Sequence, residues 1–188
     1  MTRYLPLALI IGLLIAFRVL GSLIPAETLP NFQPLVALFF CGAMLATGWR
    51  GFAIPAGIWA ITYPFGIGPI WDLPTFITTL VALIVTYFLG ATLAKRSLPT
   101  VIGGSVIAAL AFHLITCTAA WLGEPMYQKT ITGLWQSLWT GPQGATLPSW
   151  IFLRNLAAAN ALFTTIFVTA QLSIPRLNQP LAVPVTAK

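Results

Sequence analysis

The side chains that could do chemistry gather between residues 112 and 155. This stretch contains His113, the only histidine, with Glu124, one of three acids, and Arg154 inside an apolar run. An enzyme would have to build its site from these groups, Asp72 and the other arginines. The spacing favours no such site, because the sequence lacks paired carboxylates in one segment, a metal-spaced ligand set, a nucleophile elbow and a phosphate-cradling glycine loop. We therefore predict no enzyme, with no catalytic residue, no metal and no cofactor.

Arg18 and Arg154 both lie inside apolar segments. From the helical rise, Arg18 would lie roughly 9 Å and Arg154 about 6 Å below the outer ends of their helices. A charge at the bilayer centre costs at least about 2.5 to 3.5 kcal/mol, so a buried arginine faces a partner, a cavity or the interface. Each could extend outward or pair with Glu27, Asp72 or Glu124. Alternatively, the two guanidinium groups converge on an outward-opening pocket and clamp a carboxylate or phosphate.

Other polar groups in apolar segments are one histidine and two asparagines. His113 would lie roughly 12 Å below the outer end of its helix, on the same side as Cys117 one turn later. A lone histidine in a helix is more often a hydrogen-bonded packing residue, and an axial tetrapyrrole ligand would need a partner that the sequence does not offer. Asn155 adjoins Arg154 and could complete a pocket, whereas the deeper Asn160 is better placed to join helices.

The elements that must position these groups are membrane helices. The chain has 188 residues, of which 58% are hydrophobic and 6% charged, whereas a soluble domain has about a quarter of its residues charged. We predict an all-α polytopic membrane protein of about six transmembrane helices, with one domain at 1–174 and a cytoplasmic tail at 175–188. The predicted spans are residues 4–24, 35–48, 51–63, 75–94, 100–121 and 150–174.

The charged loop residues predict the orientation. With six spans and a cytoplasmic N-terminus, every cytoplasmic loop charge is basic and all three acids lie outside with Lys129. The basic residues on the inner side are Arg3, Arg50, Lys95, Arg96, Arg176 and Lys188. Their single, scattered positions fit membrane orientation better than nucleic-acid binding.

A tryptophan-rich cap joins the last two predicted spans. It is too polar to cross a membrane, and a short helix at 126–139 would collect leucine and tryptophan side chains on one side and lie in the interface plane. Within or beside this cap, Trp121, Trp135 or Trp150 could stack on an apolar ring of a ligand.

A stripe of small residues marks the first span. Ala8, Gly12 and Ala16 recur every four residues, which lets another helix approach closely. The approaching helix could belong to the same bundle or to a separate membrane subunit.

Two segments resemble a known type of membrane protein. They are NFQPLVALFFCGAML at 31–45 and AFHLITCTAAWLGEPMYQKTITGL at 111–134, the latter followed by LPSWIFLRN. They resemble an uncharacterised family of bacterial six-span membrane proteins, similar in layout to the substrate-binding S components of energy-coupling-factor (ECF) vitamin transporters. The family often has asparagine where Cys117 stands and an acid where Tyr63 or Pro64 stands.

This resemblance implies a ligand site near the outer face, beneath the loops at 25–34, 64–74 and 122–149. It also implies that the stripe on the first span docks a transporter subunit in a bacterial inner membrane. The loop charges predict that both termini are cytoplasmic. The residues predicted to bind a ligand are Arg18, Asn31, His113, Trp121, Trp135, Trp150, Arg154 and Asn155.

Two functions follow as hypotheses. The first is a substrate-binding subunit for uptake of a small vitamin-like molecule or other organic anion. This subunit would bind an anionic or aromatic ligand from the outer side of the membrane. Its partners would be membrane lipids and a transporter subunit. The alternative is a non-catalytic structural subunit of a larger membrane complex. A membrane enzyme acting on lipids is least favoured, because it should show a cluster of titratable residues.

Overall fold

The computed structural model describes residues 12, 15–17, 29–45, 49–63 and 72–173, and every regular element in these ranges is helical. The helices are α1 (Leu35–Leu45), α2 (Arg50–Thr62), α3 (Leu73–Leu93), α4 (Leu98–Gly123), α5 (Ile131–Trp135) and α6 (Ser149–Ser173). A π-helix, Gln136–Thr140, follows α5 directly. The predicted all-α class is confirmed for the described part of the chain.

Three helices, α3, α4 and α6, are long and apolar enough to cross a membrane. The shortest of their apolar stretches has 21 residues, which extends about 30 Å and matches the hydrocarbon core of a bilayer. The predicted spans at 75–94, 100–121 and 150–174 coincide with these helices. The predicted spans at 35–48 and 51–63 coincide with the shorter helices α1 and α2. Most of the first predicted span and the tail from 174 onward lie outside the described residues.

Helix α1 forms the centre of the bundle. Its side chains from Leu35 to Cys41 are buried, and it contacts α2, α3, α4 and α6. An added Cβ at Gly90 of α3 would collide with the main chain of Phe40. An apolar run without polar positions therefore lies at the centre, and glycine allows α3 to pack closely against it.

The predicted short helix at 126–139 begins later than expected. Thr130 has an extended backbone, and its side-chain oxygen accepts a hydrogen bond of 3.2 Å from the main-chain nitrogen of Gly133. This N-cap satisfies an amide that has no partner in the first helical turn. Residues 126–130 therefore form a loop, and the helical part of the cap begins at Ile131.

Candidate ligand-binding site

A cavity of about 400 Å³ lies between α4, the segment that follows the π-helix and the beginning of α6. Binding pockets for small molecules are typically about 300 to 1,000 Å³ in volume and have apolar walls with a few polar groups. The residues that line the cavity are Asn31, His113, Thr116, Cys117, Pro142, Ala145, Thr146, Leu147, Ser149 and Phe152.

Helix α4 contributes one wall. His113, Thr116 and Cys117 are three and four positions apart, so they share one side of the helix. The Nε2 atom of His113 lies 2.9 Å from the carbonyl oxygen of Leu138. Because a carbonyl only accepts, Nε2 donates, and in the neutral ring Nδ1 is left as an acceptor. Cys117 Sγ lies 3.7 Å from this Nδ1 and 3.6 Å from Nε2, and of the two nitrogens only Nδ1 is left to accept from the thiol.

The π-helix covers this wall. Ser137, which is buried, donates a hydrogen bond of 2.6 Å from its hydroxyl to the carbonyl oxygen of Cys117. With the bond between His113 and Leu138, this contact attaches the π-helix to α4 at two successive residues. The wider turn of a π-helix is rare and is found often at functional sites. Gly141, with φ of 79°, ends it and directs the chain along the cavity.

The opposite side of the cavity includes Asn31. Its φ of 59° lies in the left-handed region, which asparagine tolerates better than most residues. The preceding carbonyl, of Pro30, accepts a hydrogen bond of 3.0 Å from Nδ2 of Asn155, which is 5% exposed. Asn155 of α6 therefore holds the turn that places Asn31 at the cavity.

Arg154 contacts protein groups outside the cavity lining. Its Nε and Nη2 atoms each donate a hydrogen bond of 3.2 Å to Oδ1 of Asn155. Its guanidinium carbon lies 5.3 Å from the ring centroid of Trp150. Trp150 stacks in turn on Trp139 and Trp139 on Trp135, with centroids 6.4 and 5.9 Å apart. Arg154 thus orients the Asn155 amide beside a row of three indole rings.

The loop between α4 and α5 is closed by its own polar groups. Lys129 Nζ donates to the carbonyl oxygens of Trp121 and Glu124, the latter at 2.7 Å. A cation here interacts favourably with the negative end of the α4 dipole. In the same loop, burial first, and then electrostatic interaction with the neighbouring Cys117 and Glu124, raises the pKa of Tyr127 above its usual value. Its hydroxyl therefore stays protonated.

Residues 1–179 match a family described as a family of unknown function (DUF6580). The chain belongs to the DUF6580 family. No curated protein and no solved structure matches it. The match covers every described helix, so the cavity lies within the DUF6580 region.

The predicted ligand residues of this DUF6580 protein occupy different places. Asn31 and His113 line the cavity, whereas Trp150, Arg154 and Asn155 lie outside its lining. Two more tryptophans also lie outside it: Trp121 donates from Nε1 to the carbonyl oxygen of Gln128 at 2.8 Å, and Trp135 is 61% exposed. Arg18 lies outside the described residues, so its convergence with Arg154 stays a prediction.

Several of the lining residues were not among those predicted to bind a ligand. Cys117 was predicted to lie on the same side of the helix as His113 but not to bind a ligand, and helical spacing could have placed Thr116 on the same wall. The loop residues from Pro142 to Leu147 carry no such signal, because their position depends on where the π-helix ends. Among the described residues, no three His, Cys, Asp or Glu side chains are grouped to hold a metal ion.

The predicted docking stripe is described in part. Gly12 and Ala16 are exposed, and a Cβ at Gly12 would meet nothing within 4 Å. Phe17, the next residue, packs edge-on against Phe163 of α6 with ring centroids 5.2 Å apart. The side of this helix that carries Gly12 and Ala16 therefore has open space beside it. Ala8 lies outside the described residues.

Proposed function

We propose that this DUF6580 protein is the substrate-binding membrane subunit of a small-molecule uptake system, similar in layout to an ECF S component. The observation that carries the proposal is the cavity of about 400 Å³ at one end of α4 and α6. Its lining combines four hydrocarbon side chains with six polar ones, and ligand sites likewise combine apolar surface with polar groups that orient the ligand. Beside the cavity, Ser137 bonds to the carbonyl oxygen of Cys117 and Asn155 to that of Pro30, which connects the walls.

The proposal places the cavity at the outer face of a bacterial inner membrane. Lys95 and Arg96 lie in the connection between α3 and α4, and basic connections favour the cytoplasmic side. Helix α4 then crosses the membrane, so the cavity at its far end opens outward. Six spans, with α1, α2 and the N-terminal segment as the other three, put both termini in the cytoplasm.

The proposal includes a vitamin-like or other organic anion as the ligand if Arg18 and Arg154 act as a clamp. The contacts of Arg154 give this part less support, because its guanidinium group donates to Asn155 and lies over Trp150. Support for a docked transporter subunit comes from the exposed positions of Gly12 and Ala16.

Native mass spectrometry of the gently extracted protein tests the proposal. We expect a stoichiometric small molecule that is lost in Ser149→Phe, because the added ring would fill the cavity from its lining. Ala158→Phe is the matched control, since Ala158 lies on an exposed part of the same helix. Retention of the same molecule by Ser149→Phe, or no bound molecule in the unaltered protein, would contradict the proposal.

A structural subunit of a larger membrane complex is the second candidate. It is favoured by the stacked rings of Trp135 and Trp139, which are 61% and 46% exposed, since aromatic residues are enriched where proteins meet. This function predicts stable companion subunits without a small ligand in the same measurement.

A further inference from the structure

We infer that the cavity takes a small uncharged molecule that carries hydrogen-bonding groups and an apolar part. This inference rests on the proposed function and specifies the chemical class of its substrate. It differs from the anion that two converging arginines would predict, because it follows from the side chains that line the cavity.

The polar part of the described lining carries no permanently charged side chain. Its groups are the amide of Asn31, the hydroxyls of Thr116, Thr146 and Ser149, the thiol of Cys117 and the imidazole of His113. The remaining side chains are hydrocarbon: Pro142, Ala145, Leu147 and Phe152. Within the described lining there is no ammonium, guanidinium or carboxylate group, and the one imidazole, that of His113, is bonded through Nε2 to the carbonyl oxygen of Leu138.

The nearby cations are directed at protein oxygens. Arg154 donates twice to Oδ1 of Asn155, and Lys129 donates to the carbonyls of Trp121 and Glu124. Neither side chain lines the cavity, so the N–H groups that remain on them are not among those that a ligand in the cavity would contact.

The free energy of removing a ligand from water differs between charged and uncharged ligands. Moving an ionised group out of water without an opposite charge costs far more than moving a hydroxyl or amide that finds hydrogen-bond partners. Thr116 already donates its hydroxyl hydrogen to the carbonyl oxygen of Phe112 at 3.0 Å, so its oxygen is left to accept. The α4 wall therefore suits a donor on the ligand, while Leu147 and Phe152 suit its apolar part.

The thiol of Cys117 makes this selectivity measurable without a known ligand. The probes are three methanethiosulfonates of similar size: hydroxyethyl, which is neutral, sulfonatoethyl, which is negative, and trimethylammonioethyl, which is positive. In each reaction the thiolate attacks the sulfenyl sulfur, forming a mixed disulfide and releasing methanesulfinate, and the thiol proton goes to solvent. Cys41 is fully buried, and Cys41→Ser leaves Cys117 as the single reporter.

A reference thiol removes the intrinsic reactivity of each reagent. Thr132→Cys, in a background of Cys41→Ser and Cys117→Ser, places that thiol at an exposed position of the same cap. Each rate at Cys117 is divided by the rate of the same reagent at the reference thiol, which removes the intrinsic reactivity of the reagent. The acidity of Cys117 affects its reactions with all three reagents equally, so it cancels when the normalised rates are compared. We expect the normalised rates of both charged reagents to be about tenfold lower than that of the neutral reagent.

The failures of the two proposals are distinguishable. A negative reagent that reacts as fast as the neutral one, or faster, would overturn the uncharged class and leave the binding function intact. If the negative reagent lost this advantage in Arg154→Gln, the arginine would be shown to attract anions, which also overturns the inference. If no reagent modified Cys117 even at a pH that ionises its thiol, while the reference thiol reacted, the cavity would be closed to solutes and the binding function itself would be contradicted.

Discussion

The side-chain amide of Asn155 donates a hydrogen bond of 3.0 Å to the main-chain carbonyl oxygen of Pro30, which is 125 positions earlier in the chain. Arg154 sets the orientation of this amide, because its two donors require Oδ1 on their side and turn Nδ2 toward Pro30. The result is a fixed connection between α6 and the turn that carries Asn31.

Asn155→Leu should destabilise the protein by about 1–3 kcal/mol, because the buried carbonyl of Pro30 loses its donor. Thermal unfolding in detergent measures this loss. Ala158→Leu, at an exposed position of the same helix, is expected to leave the midpoint unchanged. Equal midpoints for both variants would show that the bond to Pro30 contributes nothing.

Ser137→Ala should loosen the π-helix from α4, because the hydroxyl that donates to Cys117 is removed from a buried position. A neutral hydrogen bond of this kind contributes about 0.5–1.5 kcal/mol. We expect a comparable loss of unfolding free energy and faster modification of Cys117 by the hydroxyethyl reagent. Thr140→Ala serves as the control, since the hydroxyl of Thr140 makes only a 3.4 Å exposed bond. Unchanged labelling in Ser137→Ala would exclude a covering role for the π-helix.

Lys129→Met should increase hydrogen exchange in residues 124–130. The substitution keeps the length of the side chain but removes the donor to the carbonyls of Trp121 and Glu124. Charges at helix ends contribute about 0.3–1 kcal/mol, so the change should be local. Gln128→Met, at the neighbouring exposed position, should leave exchange as it was. The idea fails if both variants exchange alike.

Gly90→Ala and Gly103→Ala should have opposite effects on stability. A Cβ at Gly90 would meet the main chain of Phe40, whereas one at Gly103 would meet nothing within 4 Å. Overpacking typically costs about 1–3 kcal/mol. At Gly103 the better helix propensity of alanine should contribute about 1 kcal/mol. Thermal midpoints that fall for both variants, or rise for both, would contradict this account of how α1 and α3 pack.

Cysteines at positions 95 and 132 should react from opposite sides of the membrane. We expect Thr132→Cys to react with the membrane-impermeant trimethylammonioethyl reagent in intact cells, and Lys95→Cys to react only after the cells are opened. Both variants carry Cys41→Ser and Cys117→Ser, so that no other thiol is present. The reverse pattern would place the cavity on the cytoplasmic side.

The positions of α3, α4 and α6 could be predicted from their long apolar runs alone, without information from the rest of the chain. Each is long enough to satisfy its own backbone hydrogen bonds within a bilayer, so length and hydropathy were sufficient. Helical spacing likewise placed Cys117 on the side of His113, because side chains three or four positions apart share a helix surface. The N-cap at Thr130 was missed, although its side chain lies three positions before Gly133 in a polar stretch.

Only the tertiary structure decided how these helices turn about their axes. The sequence placed Arg154 and Asn155 next to each other, but both a ligand clamp and a contact within the protein remained compatible with that position. The structure shows Arg154 over Trp150 and Asn155 on Pro30. Such contacts depend on the close packing of several helices around α1, which fixes their rotation. No local pattern of residues determines that rotation, because it depends on the side chains that every neighbouring helix presents at the same depth.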